Sequence, residues 1–313
     1  MNKLMIVAFS LVMFANTATC FSAESRTEQG YKNVNGVDHF FRIVGEGEPF
    51  VVLHGGPGMY HDELYPFFLD FARSHQVVFY DQRGNGRSLM SAIDSTNFNV
   101  ELLVDDLEQL RIAFGIENLN LIGHSWGGLL AMYYAVEHPD KVKRLITVSS
   151  APVNSELLIQ CYDNQVSRFT EAEWTELQQL WESEGYLAGD PDVLNKAMRM
   201  SEGVLFQDKT NIGRYMAAAA FDSVTAKNAV VLNDLARDIK LNIHVQDRLF
   251  QIQCPTLIVH SQQDFIVPAA PRLANELIAN SELVLLEGSG HYPHIEVPEA
   301  LFGAIERFIE RTK

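Results

Sequence analysis

The chain has 313 residues, 47% of them hydrophobic and 20% charged, the composition of a globular protein long enough to bury a sizeable core. Its formal net charge of −16 argues against a nucleic-acid or anionic-lipid partner, because both demand a basic surface. The three cysteines form no Cys-x-x-Cys and the histidines no clustered spacing, so no metal site is expected.

Lys3 precedes an apolar run from Leu4 to Ala15, followed by small and polar residues to Ala23. This reads as a secretory signal peptide over residues 1–23, with cleavage after Ala18-Thr19-Cys20 or Phe21-Ser22-Ala23. The run falls short of the roughly 20 residues a membrane span needs, so no stable span is expected after processing. Export to the periplasm or the exterior follows; the alternative is a lipoprotein anchored at Cys20. Beyond this segment stand Cys161 and Cys254, either one disulfide or two buried thiols.

Tyr31–Val37 and His39–Val44 suggest an antiparallel edge hairpin around Asn35-Gly36. From about residue 50, short apolar runs alternate with amphipathic stretches, the pattern of βαβ units in a parallel sheet. The expected strands are Phe50–Leu53, Val77–Tyr80, Leu119–Ile122, Arg144–Val148, Thr256–Val259 and Leu283–Leu286. Val100–Phe114, Trp126–His138, Pro271–Ala279 and Pro298–Arg311 carry helical spacing. The region Pro152–Val245 breaks the alternation, reading as helical throughout, with Trp174, Leu177, Leu180 and Trp181 on one face and a helix starting at Pro191. The fold class is therefore α/β: a mostly parallel sheet with helices on both faces. Its core domain comprises residues 24–151 and 246–313, and residues 152–245 form a helical cap inserted over the carboxyl ends of the strands.

Gly123-His124-Ser125-Trp126-Gly127 falls where an expected strand ends and a helix begins, the context of a nucleophile elbow. The turn is so tight that side chains two residues either side of Ser125 would strike backbone. The helix start directs N–H groups and a positive dipole at a bound oxyanion. His54-Gly55-Gly56-Pro57-Gly58 follows an earlier strand, and the N–H of Gly56 with that of Trp126 forms the candidate oxyanion hole. A serine hydroxyl needs a base and the base an orienting acid, in the chain order Ser, acid, His for this type of elbow. Asp264 and His291 each follow a strand and are assigned those roles; Asp247, His260 and His294 are the rivals. Asp81 lies in a Gly- and Arg-rich turn and reads as structural, pairing with Arg83 or Arg87.

Taken together, His54-Gly55-Gly56-Pro57-Gly58, the run Asp81-Gln82-Arg83-Gly84-Asn85-Gly86-Arg87-Ser88 and the serine elbow resemble the prolyl aminopeptidase (proline iminopeptidase) family of α/β-hydrolases, over about residues 40–150 and 250–311. The resemblance implies the α/β-hydrolase fold, a triad of Ser125, Asp264 and His291, a helical cap and no cofactor. It also implies release of N-terminal residues, often proline, from short peptides. Family cap glutamates bind the substrate's α-amino group, a role for which Glu182 and Glu202 are the candidates. The family elbow usually reads Gly-Gly-Ser-Trp-Gly-Ser, whereas this chain carries His124 and Gly128, a variant common among esterases and lactonases. The expected function is a serine hydrolase, an aminopeptidase on small peptides. The alternatives are an esterase, lactonase or amidase on other small acyl substrates and, lastly, a non-catalytic binding protein.

Overall fold

The computed structural model describes residues 27–240 and 242–313, so the expected leader and Cys20 lie outside the described residues. Strands β1 (Thr27–Val34) and β2 (Val37–Val44) pair antiparallel, and between them Asn35 and Gly36 take φ of 49° and 74°. Two successive left-handed residues make the turn whose twist suits a hairpin, and Asn-Gly tolerates it best. Val37 accordingly opens the second strand, which corrects the expectation that it closes the first.

Six further strands follow: β3 (Pro49–Leu53), β4 (Gln76–Tyr80), β5 (Leu119–His124), β6 (Val142–Val148), β7 (Thr256–Ser261) and β8 (Ser281–Leu286). They complete an eight-stranded sheet in the order β1-β2-β4-β3-β5-β6-β7-β8, parallel from β4 through β8. Every residue of β5 and β7 is buried, the polar Asn120, His124 and His260 included, because both faces of the sheet are covered.

Helix α1 (Val100–Ala113) starts where the Asn99 side chain accepts from the Leu102 N–H, and α2 (Trp126–Glu137) starts at the elbow. Between β6 and β7 the chain runs through α3 (Ser155–Val166), α4 (Glu171–Trp181), α5 (Glu184–Leu187), α6 (Pro191–Gly203), α7 (Ile212–Ala219) and α8 (Ala229–Lys240). Asp190 caps α6 ahead of Pro191, and Thr170 with Glu173 forms a capping box on α4. The segment enters and leaves through a bridge between Asn154 and His244. Helices α9 (Ala269–Leu277), α10 (Pro293–Glu296) and α11 (Pro298–Arg311) complete the chain.

Alternation along the strands sorts the core. Val51, Leu53, Leu121 and Leu145 pack with α1 and α2 on one face, while Phe50, Val52, Ile122 and Ile146 meet Leu301, Ile305 and Phe308 of α11 on the other. A third apolar cluster joins Leu194, Met198, Leu205, Phe206 and Tyr215 of the inserted segment to Tyr60, Phe265 and Tyr292 of the loops above the sheet. The inserted helices thus bury their apolar faces against those loops. Because β4 and β5 flank β3 on opposite sides, the strand order reverses between β3 and β5. That is the crevice where open α/β sheets bind ligands. Leu53 stands opposite Gly123 there, so the loop after β3 and the elbow after β5 are neighbours.

Candidate active site

Ser125 takes φ 53° and ψ −120°, a conformation that an L-residue holds only under local constraint. Its N–H donates to the Val148 carbonyl at 3.1 Å, and its carbonyl accepts from Ala151 at 2.9 Å, so the ends of β5 and β6 fix the turn. The neighbouring glycines are required. A Cβ on Gly123 would lie 2.6 Å from the Gly128 Cα, and one on Gly127 would lie 2.6 Å from the His54 carbonyl oxygen. Gly128 has its own reason: a Cβ there would sit 2.7 Å from Ser150 Oγ, so a serine at this position has no room. Ser125 remains partly accessible, whereas Asp264 and His291 are buried.

Asp264 stands beyond β7 and His291 beyond β8, at the same sheet end as the elbow. Nδ1 of His291 lies 2.9 Å from Oδ1 and 3.2 Å from Oδ2 of Asp264. A carboxylate accepts, so Nδ1 is the donor to Asp264 and Nε2 is the ring nitrogen that Asp264 does not engage. Burial would raise the Asp264 pKa, but His291, His260 and the Ile266 N–H together hold it below the usual carboxylate value. Both loops are held by the inserted segment. Arg168 donates to the carbonyls of Asp264 at 2.6 Å and Gln263 at 3.0 Å, and the His291 N–H donates to the Leu205 carbonyl at 2.9 Å. The approach to Leu205 is so close that Gly290 has no space for a Cβ.

The rivals go elsewhere. His294 is buried with Nε2 unpartnered, its ring 5.0 Å from that of His124, and burial with two neighbouring histidines pushes its pKa well down. His260 stands 3.9 Å from Asp264 without a hydrogen bond, and Asp247 is exposed in a 3₁₀ turn (Gln246–Gln251).

Gly56 takes φ 105°, and a Cβ on it would meet the Met59 nitrogen at 2.9 Å. Among the described residues the N–H groups of Gly56 and Trp126 donate to no protein acceptor, while that of Gly55 is taken by Oε1 of Glu63 at 2.5 Å. Gln82 locks this loop to the elbow: its Nε2 donates to the His54 carbonyl at 2.9 Å, and its Oε1 accepts from the Trp126 indole at 2.9 Å. Asn85 accepts from the Gly58 N–H at 2.6 Å. Asp81 is wholly buried and structural, and it holds its own loop as expected, through the Arg87 backbone and not through a guanidinium. It accepts from the His61 ring at 2.7 Å and the Arg87 N–H at 2.8 Å, while the Arg83 guanidinium forks onto Asp106 and that of Arg87 reaches Asp62.

The two candidate glutamates separate. Glu202 of α6 accepts from the Tyr292 hydroxyl, directly after His291, and burial raises its pKa. Glu182 is exposed at the end of α4 and forms no side-chain hydrogen bond or ion pair among the described residues; it is solvated surface. Cys161 and Cys254 are separate free thiols, and burial lifts them to about 12 and about 11. Among the described residues no group of three His, Cys, Asp or Glu side chains could hold a metal ion. Sequence reasoning missed Gln82, Arg168, Tyr215 and above all Glu63, a buried carboxylate eight positions past Gly55 that no motif marks.

A family model described as "alpha/beta hydrolase fold" matches residues 48–298. A proline iminopeptidase of Clostridioides difficile is 27% identical over 278 residues, covering 87% of this chain and 94% of that protein. Among solved structures, the proline iminopeptidase of Mycobacterium smegmatis superposes with a TM-score of 0.66 at 22% identity, covering 92% of this chain and 98% of the other. A thermophilic esterase from Thermogutta terrifontis reaches the same TM-score of 0.66 at 19% identity, covering 92% and 99%. At those identities the superpositions speak for the fold alone.

Proposed function

Because this chain belongs to the α/β-hydrolase fold family, we propose that it is a hydrolase working through Ser125, with His291 as base and Asp264 as its orienting acid. The observation that carries the reading is the His291–Asp264 hydrogen bond of 2.9 Å, which leaves Nε2 as the base nitrogen on the side of the sheet where Ser125 is held at φ 53°. Ser125 Oγ attacks the acyl carbon as Nε2 takes its proton, and the N–H groups of Gly56 and Trp126 receive the oxyanion. The imidazolium then protonates the leaving group, and water repeats the cycle on the acyl-enzyme. Removing one oxyanion donor typically costs about 10²–10³ in rate.

The substrate class we favour is a short peptide with a free N-terminus, proline preferred. Similarity to proline iminopeptidases along most of the chain supports it, as does the inward-facing Glu202, a carboxylate placed beside the His291 loop where a substrate ammonium would be welcome. The competing reading, an esterase, lactonase or amidase, is favoured by the elbow itself, with His124 and Gly128 where the peptidases have glycine and serine. A panel of aminoacyl anilides and acyl esters, each with free and blocked amines, separates the two. A peptidase loses activity when the α-amine is capped, and an esterase does not. Retained turnover in Ser125→Ala, or failure of a fluorophosphonate to label the protein, would overturn both.

A further inference from the structure

His124, the elbow residue at which this chain leaves the peptidase pattern, is buried beside the site and has no role in the steps above. Its Nε2 lies 2.9 Å from the backbone carbonyl of His291, and a carbonyl only accepts, so Nε2 carries a proton. Among the described residues its Nδ1 has no hydrogen-bond partner, and it faces Oε1 of Glu63 at 3.8 Å. A neutral ring protonated on Nε2 would aim the Nδ1 lone pair at a carboxylate, so the surroundings favour a second proton on His124. The oxygens of Glu63 are committed as acceptors: Oε1 takes the Gly55 N–H at 2.5 Å, and Oε2 lies 3.4 Å from the Tyr215 hydroxyl of α7. A Cβ on Gly55 would meet Glu63 Oε1 at 3.0 Å, Ser125 Cβ at 3.4 Å and His124 Nδ1 at 3.5 Å, so these three groups surround one point.

We propose that Glu63 and His124 form a buried ion pair that positions both halves of the site. Through Gly55, Glu63 sets the loop that carries the Gly56 N–H. Through the His291 carbonyl, His124 sets the loop that carries the base. The inference rests on the Ser125–His291 reading above. Titration points the same way. Burial would lower the His124 pKa and raise that of Glu63, but each is moved in the opposite direction by its partner. The other charged or titratable groups facing the pair are His54 beyond β3, Glu202 of α6, Tyr215 of α7, Asp264 beyond β7, and His291, Tyr292 and His294 beyond β8.

A pair of this kind has a sign that mere packing lacks. Replacing His124 leaves the Glu63 carboxylate uncompensated near His291, whose ring centroid is 4.8 Å from that of His124. That favours the His291 imidazolium and moves the acid limb of the kcat/KM profile to higher pH. Replacing Glu63 by glutamine removes the negative charge and does not move the limb upward.

The test uses the full chain with a p-nitrophenyl ester, which reads serine chemistry whatever the natural substrate, once a separate sample has been tested for fluorophosphonate labelling. If the wild type does not label, the serine reading fails and not the pair. In Glu63→Gln and His124→Asn we expect kcat to fall up to about 10²-fold with KM little changed, as for a misplaced reacting geometry. The acid limb should rise only in His124→Asn, and the double variant should be no worse than the poorer single. Multiplicative losses, or limbs that move together or not at all, would overturn the proposal. Should a variant not fold, ¹⁵N NMR of the wild-type histidines decides: His124 should be protonated on both ring nitrogens at pH 7.5, and a neutral tautomer rejects the pair.

Discussion

The two ends of the sheet both bury charge, and they do it differently. At the amino end Arg144 is fully buried with all three guanidinium nitrogens partnered: NH1 to Glu48 and Asn120 at 2.8 Å each, Nε to Thr312 Oγ1 at 2.7 Å, and NH2 to the Thr312 carbonyl at 3.0 Å. At the carboxyl end Glu63, His124, His260, Asp264, His291 and His294 crowd together. There Nδ1 of His124, both ring nitrogens of His260 and Nε2 of His294 find no hydrogen-bond partner among the described residues. A saturated network ties strands and the last helix into one frame. An incompletely paired one costs stability and persists where the groups serve a reaction. The contrast separates the end that holds the fold from the end suited to chemistry.

The largest blow to the contrast should come from the chemical end. Ser125→Ala should lower kcat on any accepted acyl substrate by about 10⁴ or more with little change in Tm, and Asp264→Asn by about 10⁴, because the base loses the acceptor that fixes its tautomer. Steady-state kinetics beside thermal melts measures both, and a kcat within tenfold of wild type for either variant removes the triad. At the other end Arg144→Leu removes the donors to Asn120 Oδ1 and the Thr312 carbonyl and leaves Glu48 with Lys143 and Asn120. Two stranded acceptors should cost about 2–4 kcal/mol by denaturant unfolding while kcat of the folded protein stays within about twofold. A fall in kcat at unchanged stability would erase the division between the ends.

The smallest effect is a pH dependence. Lys143, Arg144 and Asn120 outweigh burial and hold Glu48 at about 2, below its ordinary 4.5. With the folded pKa depressed, the stabilisation is present above pH 4.5 and is lost as pH falls from there through about 2. Glu48 is partly exposed, so solvent screening leaves about 1–2 kcal/mol of the shift as stability. Glu48→Gln should flatten the acid limb of a stability–pH curve by that amount, and an unchanged curve would deny the pair its weight.

The strands, the four helices flanking the sheet and the elbow were legible because each is a local pattern. Runs such as Thr256–Val259 have the length and β-branching of buried strands, and Gly123, Ser125 and Gly127 answer to the sterics of one turn. The expected first strand ran on to Val37 instead of ending at Val34, and the second opened at His39 instead of Val37, because periodicity does not see that Asn35 and Gly36 both need positive φ. The guanidinium pairing offered for Asp81 failed for another reason. Arg83 and Arg87 are near in sequence, but the carboxylates that take their guanidinium groups, Asp106 and Asp62, arrive from α1 and from the turn after β3.

Glu182 and Glu202 could not be told apart along the chain, since both are glutamates in helical stretches. Only the packing of α6 against the His291 loop turns Glu202 inward. Glu63 had no local signature at all. It matters because β3, β5 and β8 deliver Gly55, His124 and His291 to one end of the sheet, and a carboxylate placed among them acquires partners 61 and 152 residues away. The sequence by itself determined the α/β architecture and nominated a serine, an acid and a base, because strand ends and tight turns are written in neighbouring residues. Tertiary structure alone decided which charges meet, because the field at a buried group is summed over distance in space and not along the chain.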